Sequence, residues 1–95
     1  MSTTILLVDD HRIVREGLRT LLGQQSDLEV VGEAADGRDA VTQARLLRPD
    51  VIVMDIAMPE LNGVEATRLI LAELPGTRVV ALSMYADRRF VAEIL

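Results

Sequence analysis

Apolar residues along this chain fall into short continuous runs separated by stripes of helical spacing. The runs "TILLVD" (residues 4–9) and "VIVMD" (residues 51–55) are rich in β-branched and aliphatic side chains without polar alternation, which predicts parallel strands covered on both faces. "RVVALS" (residues 78–83) has the same character, and "EVVGEA" (residues 29–34) is a weaker version. Between the runs the period lengthens. In residues 12–24, Val14, Leu18, Leu21 and Leu22 stand at i, i+4, i+7 and i+8 and predict a helix with one stripe facing a core. Residues 37–47 repeat this with Val41, Ala44 and Leu47 behind Asp36, an N-cap candidate. In residues 61–74, Asn62 followed three positions later by Glu65 gives a capping-box-like start, and Pro75-Gly76 ends the helix. A last helix is predicted from Ala86 to Leu95, with Phe90, Val91 and Ile94 on its buried side.

Strand and helix alternate four times, which predicts an α/β layered fold, because parallel strands need crossovers and these connections are of helix length. Right-handed crossovers leave few topologies. In open parallel sheets, function sits beyond the carboxyl ends of the strands, where the strand order reverses. Asp9 and Asp10 follow the first strand, Asp55 ends the third and Ser83 ends the fourth, so all four are expected on one edge of the sheet. The chain shows no internal repeat, low-complexity segment or linker.

Composition narrows the class. Ninety-five residues with 49% apolar and 2% aromatic side chains describe one small domain with an aliphatic core. No apolar run approaches the ~20 residues that span a bilayer, and the N-terminus has no signal-peptide pattern, so a soluble cytoplasmic protein is expected, without a membrane partner. The absence of cysteine rules out a disulfide framework and thiolate metal sites. A net charge of −5 argues against nucleic-acid binding through this chain. All ten basic side chains are arginine; there is no lysine.

Adjacent carboxylates at the end of a buried strand are costly, and a third on the same edge adds to the repulsion. Such a gathering predicts a bound cation. Few ligands, all of them oxygen, suit Mg²⁺, which keeps several waters and takes one or two carboxylates together with a phosphoryl oxygen. The competing reading is that Asp9 and Asp10 only cap the following helix, whose dipole favours negative charge.

"LLVDDH", "VIVMDIAMPELNGVEATRLI" and "VVALSMY" together resemble the receiver domain of bacterial two-component response regulators. "DDHRIVREGLRTLL", "VVGEAADGRDAV" and "RPDVIVMDIAMPELNGVEAT" resemble most the NarL/LuxR-type subgroup, whose receiver precedes a helix-turn-helix DNA-binding domain. The likeness covers the whole chain. It implies a flavodoxin-like doubly wound parallel sheet of strand order 2-1-3-4. It also implies that Asp55 accepts a phosphoryl group from a sensor histidine kinase, that Asp10 and Asp9 hold Mg²⁺ with Asp55, and that the Ala57 backbone carbonyl is a further ligand. Met58-Pro59 would shape the loop after the acceptor and Gly63 would give the backbone freedom there. Ser83 would donate a hydrogen bond to the phosphoryl group and switch the following loop. Such a protein accepts a phosphoryl group and assists its own phosphorylation and dephosphorylation, rather than acting as an enzyme on other molecules.

Around these positions, His11 reads first as an incidental solvent-side residue, with tuning of the acidic cluster or contact with the kinase as the alternative. Met84 is expected to restrict access of water and small donors to Asp55, and Arg88-Arg89 to mark a solvated face. Receivers of this kind also have a fifth strand and helix, an aromatic switch residue and a lysine that pairs with the phosphoryl group, none of which is found through Leu95. The expectation is therefore a longer protein, represented here to a point within the fourth helix, with a DNA-binding domain beyond it. Homodimer formation is expected on activation or by swapping, since the fourth strand would otherwise be an exposed edge. A haloacid-dehalogenase-type phosphatase lacks its second acid here, where Ala57 stands, and no glycine-rich phosphate loop follows the first strand. A phosphorylation-independent interaction module with a degenerate receiver fold is the remaining alternative.

Overall fold

A computed structural model describes residues 2–55, 63–82 and 91–94. The chain runs β1 (Thr3–Val8), α1 (Arg12–Gly23), β2 (Leu28–Ala34), α2 (Gly37–Leu47), β3 (Val51–Asp55), α3 (Gly63–Glu73), β4 (Arg78–Leu82) and β5 (Val91–Ile94). The strands form one sheet of order β2-β1-β3-β4-β5, with β1 to β4 parallel as the sequence predicts. Strand order reverses between β1 and β3, so the carboxyl ends of these two central strands flank the switch point.

One face of the sheet carries the main core. Leu6 and Val8 of β1, Ile52 and Met54 of β3 and Val79 of β4 pack against Ala40, Val41 and Ala44 of α2 and Ala66 and Ile70 of α3. Small side chains on both helices let them lie close to the sheet, and large aliphatic ones from the strands fill the space. The alternation of β1 sends Ile5 and Leu7 to the opposite face, where α1 lies. That cover is thinner. No α1 residue is fully buried, and Leu21, expected on the core stripe, is 62% exposed, whereas Val14, Leu18 and Leu22 are half-buried. The stripe contacting the sheet is thus narrower than its apolar content suggests.

Asp50 fastens the strand starts at the amino end of the sheet. Its carboxylate accepts from the Thr4 backbone N–H (2.9 Å) and hydroxyl (3.1 Å), and its carbonyl accepts from the Arg78 N–H at 3.0 Å. These bonds set the register of β1, β3 and β4. In β2 the register shifts by one residue opposite Ile5 and Leu6, leaving Val31 without a partner in β1 and placing Gly32 beside Leu6. A Cβ at Gly32 would come 2.5 Å from Leu47 Cδ1, so a side chain there would push the end of Leu47 aside.

Asp36 caps α2 as predicted, accepting from the Asp39 N–H at 2.8 Å. At the other end of α2, Arg48 is left-handed, with φ 46° and ψ 59°, before Pro49. Asn62, the expected cap of α3, lies outside the described residues. The helix expected from Ala86 to Leu95 is not what forms over Val91–Ile94: this segment is a strand, antiparallel to β4. As a strand, these residues pair their backbone N–H and C=O groups with those of β4, which four residues of helix would not do. The parallel order 2-1-3-4 is as expected, and Val91–Ile94 adds an antiparallel strand beside β4 where a helix was expected.

Because a left-handed backbone costs a side-chain-bearing residue about 1 kcal/mol, Arg48→Gly should raise the thermal midpoint by a few degrees and Arg48→Val should lower it, as measured by circular dichroism.

Candidate acidic site

The two central strands end in carboxylates. Asp55 is the last residue of β3 and Asp9 the first after β1, and both are buried. Asp9 stays in line with the sheet through its N–H, which donates to the Ala34 carbonyl of β2 at 3.1 Å. Asp10 and His11 follow on the turn into α1, more exposed. Asp9, Asp10, His11 and Asp55 each offer one ligand atom, and these atoms all lie within 4.8 Å of one another. At an effective dielectric of ~20, each carboxylate pair at this spacing repels by roughly 3 kcal/mol when both are charged. A compensating cation is the direct remedy.

The turn decides between capping and cation binding. His11, at the N-cap position of α1, makes no side-chain capping bond, and the first turn of the helix has no acidic residue. Asp9 Oδ1 accepts from the His11 N–H at 2.7 Å, a local turn bond. Its other oxygen, Oδ2, is buried and has no hydrogen-bond partner among the described residues. The turn therefore accounts for one oxygen of Asp9 and leaves the second unaccounted for. An unpaired buried carboxylate oxygen within a cluster of hard oxygen donors fits a small divalent cation.

His11 Nδ1 lies 3.0 Å from both Asp9 Oδ1 and Asp10 Oδ1. The hydrogen bond to Asp9, followed by the charge of Asp10, raises the imidazole pKa above its ordinary 6.5. Close by, Arg15 of α1 donates from Nη1 to the Asp9 carbonyl (2.6 Å) and from Nε to Glu33 of β2 (2.9 Å), and Arg19 donates to the other Glu33 oxygen at 2.7 Å. Burial acts to raise the Glu33 carboxyl, but the bonds from Arg19 and Arg15 outweigh it and hold it below its ordinary range.

Of the residues singled out from the sequence, Asp9, Asp10 and Asp55 are brought together and His11 joins them. Gly63 is buried at the start of α3, where its carbonyl accepts from the Thr67 hydroxyl at 2.7 Å. Ala57, Met58, Pro59, Ser83, Met84, Arg88 and Arg89 lie outside the described residues. The Arg15–Glu33 link was not anticipated; its only signal in the sequence was a charged side chain one position after Val14 on a half-covered helix. A separate hollow of about 310 Å³, lined by residues that include Arg48, Asp50 and Thr77, lies at the amino ends of β3 and β4, away from the cluster.

Comparison with known proteins follows the same lines. Residues 5–95 match the model of the response regulator receiver domain. The response regulator protein VraR of Staphylococcus epidermidis is 45% identical over 95 residues, covering 100% of this chain and 46% of that protein. The chain thus spans about half the length of the curated relatives it matches. Among solved structures, the response regulator domain of Thermotoga maritima CheB is similar at TM-score 0.82 and 46% identity, covering 87% of this chain and 61% of that one. A LuxR-family two-component response regulator from Aurantimonas sp. is similar at TM-score 0.84 and 41% identity, covering 90% and 61%.

A raised imidazole pKa stabilises the fold fully below the unfolded value and loses that contribution as pH rises through the folded value. In metal-free protein, the thermal midpoint of the wild type relative to His11→Gln should therefore fall as pH rises above 6.5, and NMR titration should place the His11 pKa above that ordinary value.

Proposed function

The chain belongs to the response regulator receiver domain family, and from that premise we propose that Asp55 is the phospho-acceptor of a two-component signalling protein whose acidic pocket holds Mg²⁺. The observation that carries this reading is the convergence of Asp9, Asp10 and Asp55, with the buried Asp9 Oδ2 left unpaired. The donor set fits the metal: Asp10, Asp9 and Asp55 would hold it, with the Ala57 backbone carbonyl as a further ligand. When bound, Mg²⁺ neutralises charge on the phosphoryl oxygens, so that catalysis is mostly positioning and electrostatics.

The chain's own residues supply the rest. The Asp55 carboxylate attacks phosphorus of a phosphohistidine on a sensor kinase; the new O–P bond forms an acyl phosphate as the P–N bond breaks, and the electron pair returns to the histidine. Burial of Asp55 limits the access of bulk water to that bond. Ser83 would then donate a hydrogen bond to the phosphoryl group, a contact worth ~1.5–3 kcal/mol, and bias the loop after β4 toward one of two states. Met84 beside it would restrict water and small donors. The family likeness and the relatives' greater length support a longer full protein; a DNA-binding domain beyond this chain, a cytoplasmic setting, and a homodimer formed on activation or by swapping complete the proposal. No helix among the described residues is long and apolar enough to cross a membrane.

Intact-mass measurement after incubating the full protein with Mg²⁺ and a small phosphodonor tests the assignment. A phosphoryl-sized gain is expected that disappears with Asp55→Ala or without Mg²⁺, and Met84→Ala should shorten the life of the phosphorylated form. The full protein gaining no mass would overturn this reading in favour of an interaction module.

A further inference from the structure

Asp9 is pinned through its backbone on both sides. Its N–H bonds to Ala34 of β2, but its carbonyl has left the sheet and accepts instead from Arg15 Nη1 at 2.6 Å. A buried carbonyl at this place would otherwise lack a partner. Arg15 is itself held: its Nε donates to Glu33 at 2.9 Å, its side chain is only 16% exposed, and its backbone N–H bonds to the His11 carbonyl at 3.1 Å. Two acceptors on different elements fix one planar guanidinium, a task suited to its rigid fork of donors. Arg19 shares Glu33, through the other oxygen, without reaching Asp9 in any described bond.

We propose that Arg15 is a positioning residue for the acidic site, holding the Asp9 carbonyl while Glu33 holds its guanidinium, and so setting the turn that carries Asp9, Asp10 and His11. This rests on the reading of that site as a Mg²⁺ pocket, and it adds a part that touches neither cation nor phosphoryl group. A positioning role and a purely electrostatic one predict opposite signs. Removing a positive charge beside an anionic site would tighten cation binding; loosening the turn that presents the ligands weakens it.

Two measurements on the full protein separate these outcomes. Mg²⁺ titrations are followed by the amide NMR shifts of Asp10 and His11, and hydrogen exchange of the His11 amide, which bonds to Asp9 Oδ1, is read without metal. Arg15→Gln should weaken Mg²⁺ binding about tenfold, as loss of groups that orient metal ligands does, and speed exchange of the His11 amide. Glu33→Gln should act in the same direction, Arg15→Lys should be intermediate because an ammonium lacks the fork, and Arg19→Gln should change neither readout. Should Arg15→Gln fail to fold, Arg15→Lys carries the comparison: it keeps the charge, so pure electrostatics predicts unchanged Mg²⁺ binding, whereas the positioning role predicts weaker binding and faster exchange of the His11 amide. Unchanged exchange, or Mg²⁺ binding equal to or tighter than wild type in the Arg15 variants, overturns the proposal. A wild-type protein that binds no Mg²⁺ overturns the reading of the site instead, and the exchange arm then decides whether Arg15 sets the turn.

Discussion

Mutual repulsion of carboxylates at the carboxyl ends of β1 and β3 is the constraint around which this molecule is arranged. The two strands are central neighbours in the sheet, so the residues ending them cannot avoid each other, and both Asp9 and Asp55 are buried. Burial raises the cost of each charge, since neither water nor salt screens it well. Around Asp9 the described contacts relieve this only in part. His11 is shared between Asp9 and Asp10 at 3.0 Å, and one oxygen of Asp9 is left unpaired. A site that stores electrostatic cost in this way is poised for a divalent cation, and it gives the receiver fold a reason to keep its core rigid directly beneath.

That rigidity is distributed unevenly. The face covered by α2 and α3 is a close-packed aliphatic layer, and the amino ends of the strands are locked by Asp50. The opposite face depends on α1, which buries no residue completely. Polar contacts take over where apolar cover is thin: the Arg15–Glu33–Arg19 group ties α1 to β2 and reaches the Asp9 backbone. Exposed ion pairs such as Arg45–Glu73 contribute little, because water and salt screen them and holding two long side chains in one geometry costs entropy. The Glu33 group differs because Arg15 is largely buried and bonds to two elements at once.

Much of this was legible from the chain. Apolar runs located the four parallel strands to within a residue or two, because a strand covered on both faces has to be apolar throughout. The Asp36 cap was readable because capping is local, a side chain meeting an N–H three residues away. The acidic site was readable because strand ends in a parallel sheet share an edge, so Asp9, Asp10 and Asp55 needed only the order of elements to be brought together.

What the sequence could not supply depended on partners distant along the chain. Leu21 lies on the apolar stripe of α1, yet its exposure follows from how much of that helix the sheet reaches. Arg15 reads as an ordinary surface charge until the pairing of β1 with β2 brings Glu33, 18 residues away, beneath it. Residues 91–94 carry a pattern compatible with a helix, and it is their pairing with β4, distant contacts that periodicity does not show, that makes them a strand. Local periodicity and residue type thus determined the elements and the chemistry at their ends. Tertiary structure decided which polar groups compensate one another, because hydrogen bonds and charges act through space, at distances the order of residues does not encode.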